Sequence, residues 1–181
     1  MSIAPPSAGL LHPLSHFCWK SGHPLPPHEL IDGAAMPEPY RTLLVHEGDM
    51  TSRLEEFYGA SMTLRVLQRE LEEHACRREV LLCVEGSGLP VEYGAIEINL
   101  AAFSEELRGL ILAGRQPLGG LLNHHAIRYR SEPRAFLKLA PDSAMDAHFD
   151  LEGAHPLYGR CNVLIGENDV TLAHIVEVLR P

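Results

Sequence analysis

Positive charge is scarce in this chain. Fifteen Lys and Arg stand against 24 Asp and Glu, for a formal net charge of −9. That balance excludes a general nucleic-acid or anionic-membrane surface. An anionic ligand would gain nothing from long-range steering, so any positive charge it needs must be focused inside a site. Cysteine is scarce too. Cys18, Cys76, Cys83 and Cys161 form no CxxC pair and no small-domain disulfide spacing, which reads as free thiols in a reducing compartment. No segment approaches about 18 consecutive apolar residues, so no membrane span is expected. The first residues lack a basic start, and Pro5, Pro6 and Pro13 interrupt any apolar run, so no signal peptide is expected either. A cytoplasmic enzyme or binding protein fits these absences.

The commonest catalytic and nucleotide motifs are also missing. There is no HExxH and no Cys/His cluster, and the adjacent pair His124-His125 lacks a third ligand at useful spacing. No metal site is therefore expected. The stretch "EGSGL" lacks the GxSxG spacing of a nucleophile elbow and reads as a hairpin turn. The stretch "PLGGLL" carries glycines but neither GxGxxG nor GxxxxGK, which excludes a nucleotide loop.

What is present is chain enough for one domain with a real core: 181 residues of ordinary globular composition. Eight of the fourteen prolines fall in the first 39 residues, so residues 1–35 read as an irregular N-terminal arm in front of a domain at 36–181. "EPYRTLLVHEG" reads as a short amphipathic helix. "GDMTSRLEEFYG" reads as a second, with Ser52 and Glu55 as a capping box and Gly59 at its C-terminus. Residues 61–70, 78–86 and 89–100 alternate or run apolar as strands, and 104–114 is helical. "QPLGGLLNHH" reads as a turn and short helix, "AIRYRSE" as a strand and 140–157 as a polar connection. A last hairpin joins "YGRCNVLIG" to "VTLAHIVEVL" across "GEND". Strands joined by tight turns pair antiparallel, and the helices do not alternate in βαβ fashion. The fold class expected is α+β on a single antiparallel sheet.

Two charged residues stand out. Glu177 interrupts the β-branched run Ala173–Leu179, where a buried carboxylate costs several kcal/mol, of the order set by desolvation, unless paired or protonated. Arg78 opens the strand "REVLLC". The residues alone leave three readings open: a structural ion pair, an edge strand facing solvent, or an arginine and a carboxylate facing a closed ligand cavity.

Together the motifs resemble the chorismate pyruvate-lyases, from about residue 40 to the end. "LLVHEGDMTSRLEEFYG" is similar to that family's opening helix-and-flap segment, with its substrate-contacting Met at Met50. "REVLLC" resembles the signature strand with the carboxylate-binding Arg at Arg78. "GRQPLGGLL" resembles the turn whose Leu, here Leu118, covers the ligand, and "VEVLRP" places the family's essential Glu at Glu177. The resemblance implies a six-stranded antiparallel sheet with helices on one side and a cavity closed by helix-turn flaps. It further implies conversion of chorismate to 4-hydroxybenzoate and pyruvate in ubiquinone biosynthesis, without cofactor. Arg78 and Glu177 would be catalytic, and Met50, Arg78, Leu118 and Glu177 would bind substrate. Cys161 stands where a second basic residue is more usual. The alternative is a non-catalytic effector-binding domain of the same fold, as in transcriptional regulators, or a related lyase with another chorismate-derived substrate. Residues 1–40 are too short and proline-rich to form the winged helix that precedes such regulator domains.

Overall fold

The computed structural model describes residues 9–140, 142–152 and 155–180. Its frame is one seven-stranded sheet, antiparallel throughout: β1 (His28–Ile31), β2 (Met62–Leu71), β3 (Ala75–Val84), β4 (Pro90–Asn99), β5 (Tyr129–Leu139), β6 (Leu157–Gly166) and β7 (Thr171–Leu179). The strand order is β1-β5-β6-β7-β4-β3-β2. The α+β class holds. The resemblance implied six strands; the seventh, β1, comes from the proline-rich segment and pairs with β5. β7 is the middle strand, flanked by β6 and β4. Its residues are packed on both faces of the sheet, Val176 and Val178 in one core and Leu172, Ala173 and Leu179 in the others, which accounts for its continuous apolar character.

Among the described residues six α-helices cover the sheet: α1 (Leu14–Ser21), α2 (Tyr40–Leu44), α3 (Met50–Tyr58), α4 (Glu105–Ala113), α5 (Leu118–His124) and α6 (Ser143–His148). Helices α2 to α5 lie on one face, α2 and α3 over Leu82, Val91 and Leu179, α4 and α5 over Ile96, Ile98 and Leu164. The one-sided cover implied by the resemblance describes these four. Helices α1 and α6 pack Leu14, Phe17, Met145 and Phe149 on the opposite face, against Leu81, Tyr93, Val176 and Val178. Alternation along the strands therefore sorts side chains between two cores. The second face was hidden in the sequence because the proline-rich segment and the polar connection supply its cover.

Local chemistry sets the helix ends. Ser104 caps α4 by accepting from the backbone N–H of Leu107 at 3.3 Å, with Glu105 and Glu106 in the first turn. For α3 the capping box expected at Ser52 and Glu55 gives way to Asp49. Its Oδ1 accepts from the Ser52 N–H at 2.8 Å, and the helix starts earlier, at Met50. Glu55 instead accepts from the backbone N–H of Met62 at 3.0 Å, tying the helix to β2. The earlier start matters because it places Met50 on the first turn, over the sheet. "EGSGL" forms the β3–β4 turn, and the four cysteines are free thiols.

Candidate functional site

Three successive cross-strand rows form the floor of a cavity between the sheet and helices α3 and α5. Arg78 lies opposite Ile96, then Ile175 and Asn162. Val80 lies opposite Gly94, then Glu177 and Arg160. Leu82 lies opposite Glu92, then Leu179 and Tyr158. Asp49, Met50 and Thr51 at the start of α3 and Pro117, Leu118 and Gly119 at the start of α5 form the roof. The cavity holds about 540 Å³ of space, mouth included, and its walls are mostly apolar. Gly94 keeps the floor open: a Cβ there would stand 3.1 Å from Val80 and 3.4 Å from Glu92.

All four residues singled out in the sequence, Met50, Arg78, Leu118 and Glu177, line this one cavity and all are buried. Their surroundings differ from what their spacing suggested. Glu177 is paired with Arg160, directly opposite on β6 and completely buried. The remaining N–H groups of Arg160 donate to the carbonyls of Leu44 at 3.3 Å, His46 at 3.0 Å and Gly48 at 3.3 Å. One guanidinium thus neutralises Glu177 and clamps the loop that leads into Asp49 and Met50. The second basic group of the site is Arg160, not position 161. Cys161 points to the opposite core, where burial pushes its thiol pKa up to about 12.

Arg78 has no such partner. It is 1% exposed, and among the described residues no carboxylate pairs with it. Its Nη1 donates to the Ile111 carbonyl at 3.3 Å, and its Nε–H, fully buried, has no acceptor. Burial pulls its pKa down. A cation that remains buried without a counter-charge is costly to the fold.

Glu92 was missed in the sequence. It interrupts "PVEYGAIEIN" much as Glu177 interrupts β7, so the same signal was there to be read. Its Oε2 is buried without a hydrogen-bond partner, and its pKa is driven well above the usual range by burial, then by the negative charge of Glu177. Beside Arg160, the imidazole of His46 is held down to about 4, first by burial and then by the Arg160 charge. Its Nε2 donates to the Leu43 carbonyl at 2.8 Å and its Nδ1 accepts from the Gly48 N–H at 3.0 Å, which defines the neutral tautomer.

The two roof segments are fastened to each other. Asp49 Oδ2 accepts from the Asn123 side-chain amide at 3.0 Å, and Tyr129 donates its hydroxyl to Asn123 Oδ1 at 3.1 Å. Gly119 packs so close to Asp49 that a Cβ there would stand 2.9 Å from Oδ1. Among the described residues no group of three or more His, Cys, Asp or Glu is placed to hold a metal ion. No helix among them is long and apolar enough to cross a membrane.

No protein-family model and no curated protein matches the chain. Solved structures do. PhnF from Mycobacterium smegmatis is 14% identical with a TM-score of 0.57, over 75% of this chain and 65% of that one. The effector domain of PhnF is likewise 14% identical with a TM-score of 0.54, over 74% of this chain and 88% of that domain. YydK from Bacillus subtilis, described as a possible transcriptional regulator, is 9% identical with a TM-score of 0.52, over 70% of this chain and 59% of that one. The chain therefore spans less than two thirds of the length of PhnF and matches most of its effector domain. This likeness shows the fold: an α+β domain on one antiparallel sheet, shared with the effector domain of PhnF.

It also corrects the enzymatic expectation. YydK is described as a possible transcriptional regulator and the PhnF match is an effector domain, and neither is named as a lyase. Chorismate pyruvate-lyase activity, and with it 4-hydroxybenzoate, pyruvate and ubiquinone biosynthesis, has no support among them. The motifs that suggested a lyase build the floor and roof of this cavity. Glu177, expected as a catalytic and substrate-binding residue, is engaged by Arg160.

Proposed function

We propose that this domain is a non-catalytic binding module for a small organic acid. The carrying observation is Arg78, a fully buried guanidinium with an unused N–H, no carboxylate partner and an apolar cavity in front of it. An anion that enters supplies the missing counter-charge, and a carboxylate matches the planar fork of Arg with two parallel hydrogen bonds. The chain is acidic overall, so this local cation selects the ligand at short range. The apolar walls take a ring-sized body, and Met50 and Leu118 cover it. The occurrence of this fold in a regulator's effector domain supports binding without turnover, with occupancy read out through the roof segments.

Thermal melting with simple probes tests this. A ligand that binds only the folded state stabilises it by about 2.7 kcal/mol at a hundredfold excess over Kd. Benzoate should raise the melting temperature in a concentration-dependent way. Benzamide, of the same shape without the charge, should do so far less. In Arg78→Lys the point charge remains but the fork is lost, and benzoate affinity should fall by roughly 1.5–3 kcal/mol, the worth of a hydrogen bond to a charged group. Benzoate recovered from the mixture should be unchanged. Equal shifts for benzoate and benzamide, or undiminished affinity in Arg78→Lys, would refute the reading.

A further inference from the structure

We propose that Glu92 is the second ligand-recognising group of the cavity, a neutral carboxylic acid that donates its O–H to an acceptor atom at the end of the ligand remote from Arg78. The inference rests on the carboxylate reading above and narrows it. The ligand class becomes an organic acid bearing a carbonyl, ether or hydroxyl oxygen across a ring-sized apolar body.

Geometry carries it. Glu92 and Arg78 sit in the outer two of the three floor rows, so Glu92 stands four positions along β4 from Ile96, the cross-strand neighbour of Arg78. At the usual rise that is about 13 Å between backbone positions. The Arg78 and Glu92 side chains both line the same cavity, with Val80 and Gly94 between them on its floor. Between them lies Gly94, whose missing side chain leaves the floor clear.

The groups around Glu92 leave it no protein donor for a charged form. From β7, Glu177 presents a like charge. From β6, Arg160 is committed to Glu177 and to the Leu44, His46 and Gly48 carbonyls. From the roof, Asp49 adds a second acid, itself held by Ser52 and Asn123. His46, beside Arg160, is neutral at ordinary pH, and Arg78 lies at the far end of the cavity. A carboxyl in this setting keeps its proton, in line with the direction in which burial and Glu177 drive it. A neutral acid is a donor as well as an acceptor, and the buried Oε2 has no partner within the protein. Burying a polar atom unpaired is costly, and a ligand acceptor relieves that cost. A site built to hydrogen-bond a ligand atom discriminates against the analogue that lacks it.

Two measurements on the intact chain test the inference. The infrared carbonyl stretch of a neutral carboxylic acid should be present in the ligand-free protein at pH 6 and missing from Glu92→Gln. A protein without that band overturns the inference. Calorimetric titration should show 3- or 4-acetylbenzoate, whose ketone only accepts, binding at least about tenfold tighter than benzoate, the effect of one hydrogen bond to a buried group. Glu92→Gln retains a donor and should retain the preference. Glu92→Leu should bind the probes equally. A preference that survives in Glu92→Leu, or one absent from the wild type while benzoate binding still depends on Arg78, overturns the role of Glu92 alone. Benzoate that binds Arg78→Met as well as wild type overturns the carboxylate reading and this inference with it.

Discussion

At the scale of single residues the site is an arrangement of four buried ionisable groups with unequal support. Glu177 and Arg160 neutralise each other, Glu92 is relieved by holding a proton, and Arg78 has no counter-charge among the described residues. Removing Arg160 alone, as Arg160→Met, leaves Glu177 charged and unpaired. The expected cost is about 3–5 kcal/mol, as for other broken buried pairs. The double variant Arg160→Met with Glu177→Leu should recover most of that loss, since apolar residues of similar volume commonly replace a buried pair at little cost. Chemical denaturation of the four proteins in the cycle gives the coupling. Additive losses would mean that Arg160 acts through the loop carbonyls and not through Glu177. Glu177 was legible in the sequence as a buried carboxylate. Its partner was not, because alternation reports the face a residue takes while the identity of the strand next door depends on sheet order. Cys161 could be mistaken for the site position because the face changes with every single residue.

At the scale of elements, the roof depends on two helix starts that touch. Asp49 serves both as the cap of α3 and as the acceptor for Asn123 in the last turn of α5, and Gly119 at the start of α5 packs closely against it. Asn123→Ala removes the fastening without altering the cavity floor. Benzoate should then leave several-fold faster, with association changed much less, because affinity changes within one site fall mostly in the off-rate. Gly119→Ala pushes a methyl into Asp49 and should act in the same direction. Stopped-flow displacement measures both, and off-rates equal to wild type would remove the fastening from the binding mechanism. Helices α3, α4 and α5 were readable from caps, periodicity and closing glycines. Helix α1 and strand β1 were not, because dense proline breaks the periodic signal and both are held by partners distant in sequence. The pairing of β1 with β5 and the packing of Leu14 and Phe17 on the far sheet face supply what local propensity lacks. Glu92 escaped notice for a related reason. A strand broken by Gly94 and flanked by a turn reads less clearly as buried than the unbroken run of β7.

At the scale of the whole molecule, a sheet covered on both faces separates two tasks. The face under α1 and α6 packs a core around Leu14, Phe17, Met145 and Phe149 and borders a more open cleft beside Cys18, Glu79, Tyr93 and His148, while the face under α3 and α5 leaves an apolar cavity over its central strands. Composition pointed to a locally focused cation in an acidic chain, and Arg78 is such a cation. Its isolation sets function against stability. If Arg78 is there for a ligand, the unliganded protein bears the cost of burying it, and an apolar side chain of similar length relieves that cost. The most direct test is the melting of wild type and Arg78→Met, each with and without saturating benzoate. Without ligand, Arg78→Met should be the more stable, by about 1 kcal/mol or more on the scale found for buried charges replaced by apolar side chains. Benzoate should raise the melting temperature of the wild type and leave that of the variant unmoved. An Arg78→Met protein that is destabilised by several kcal/mol, as expected when a structural partner is lost, and still gains stability from benzoate would contradict the assignment of Arg78 to a ligand.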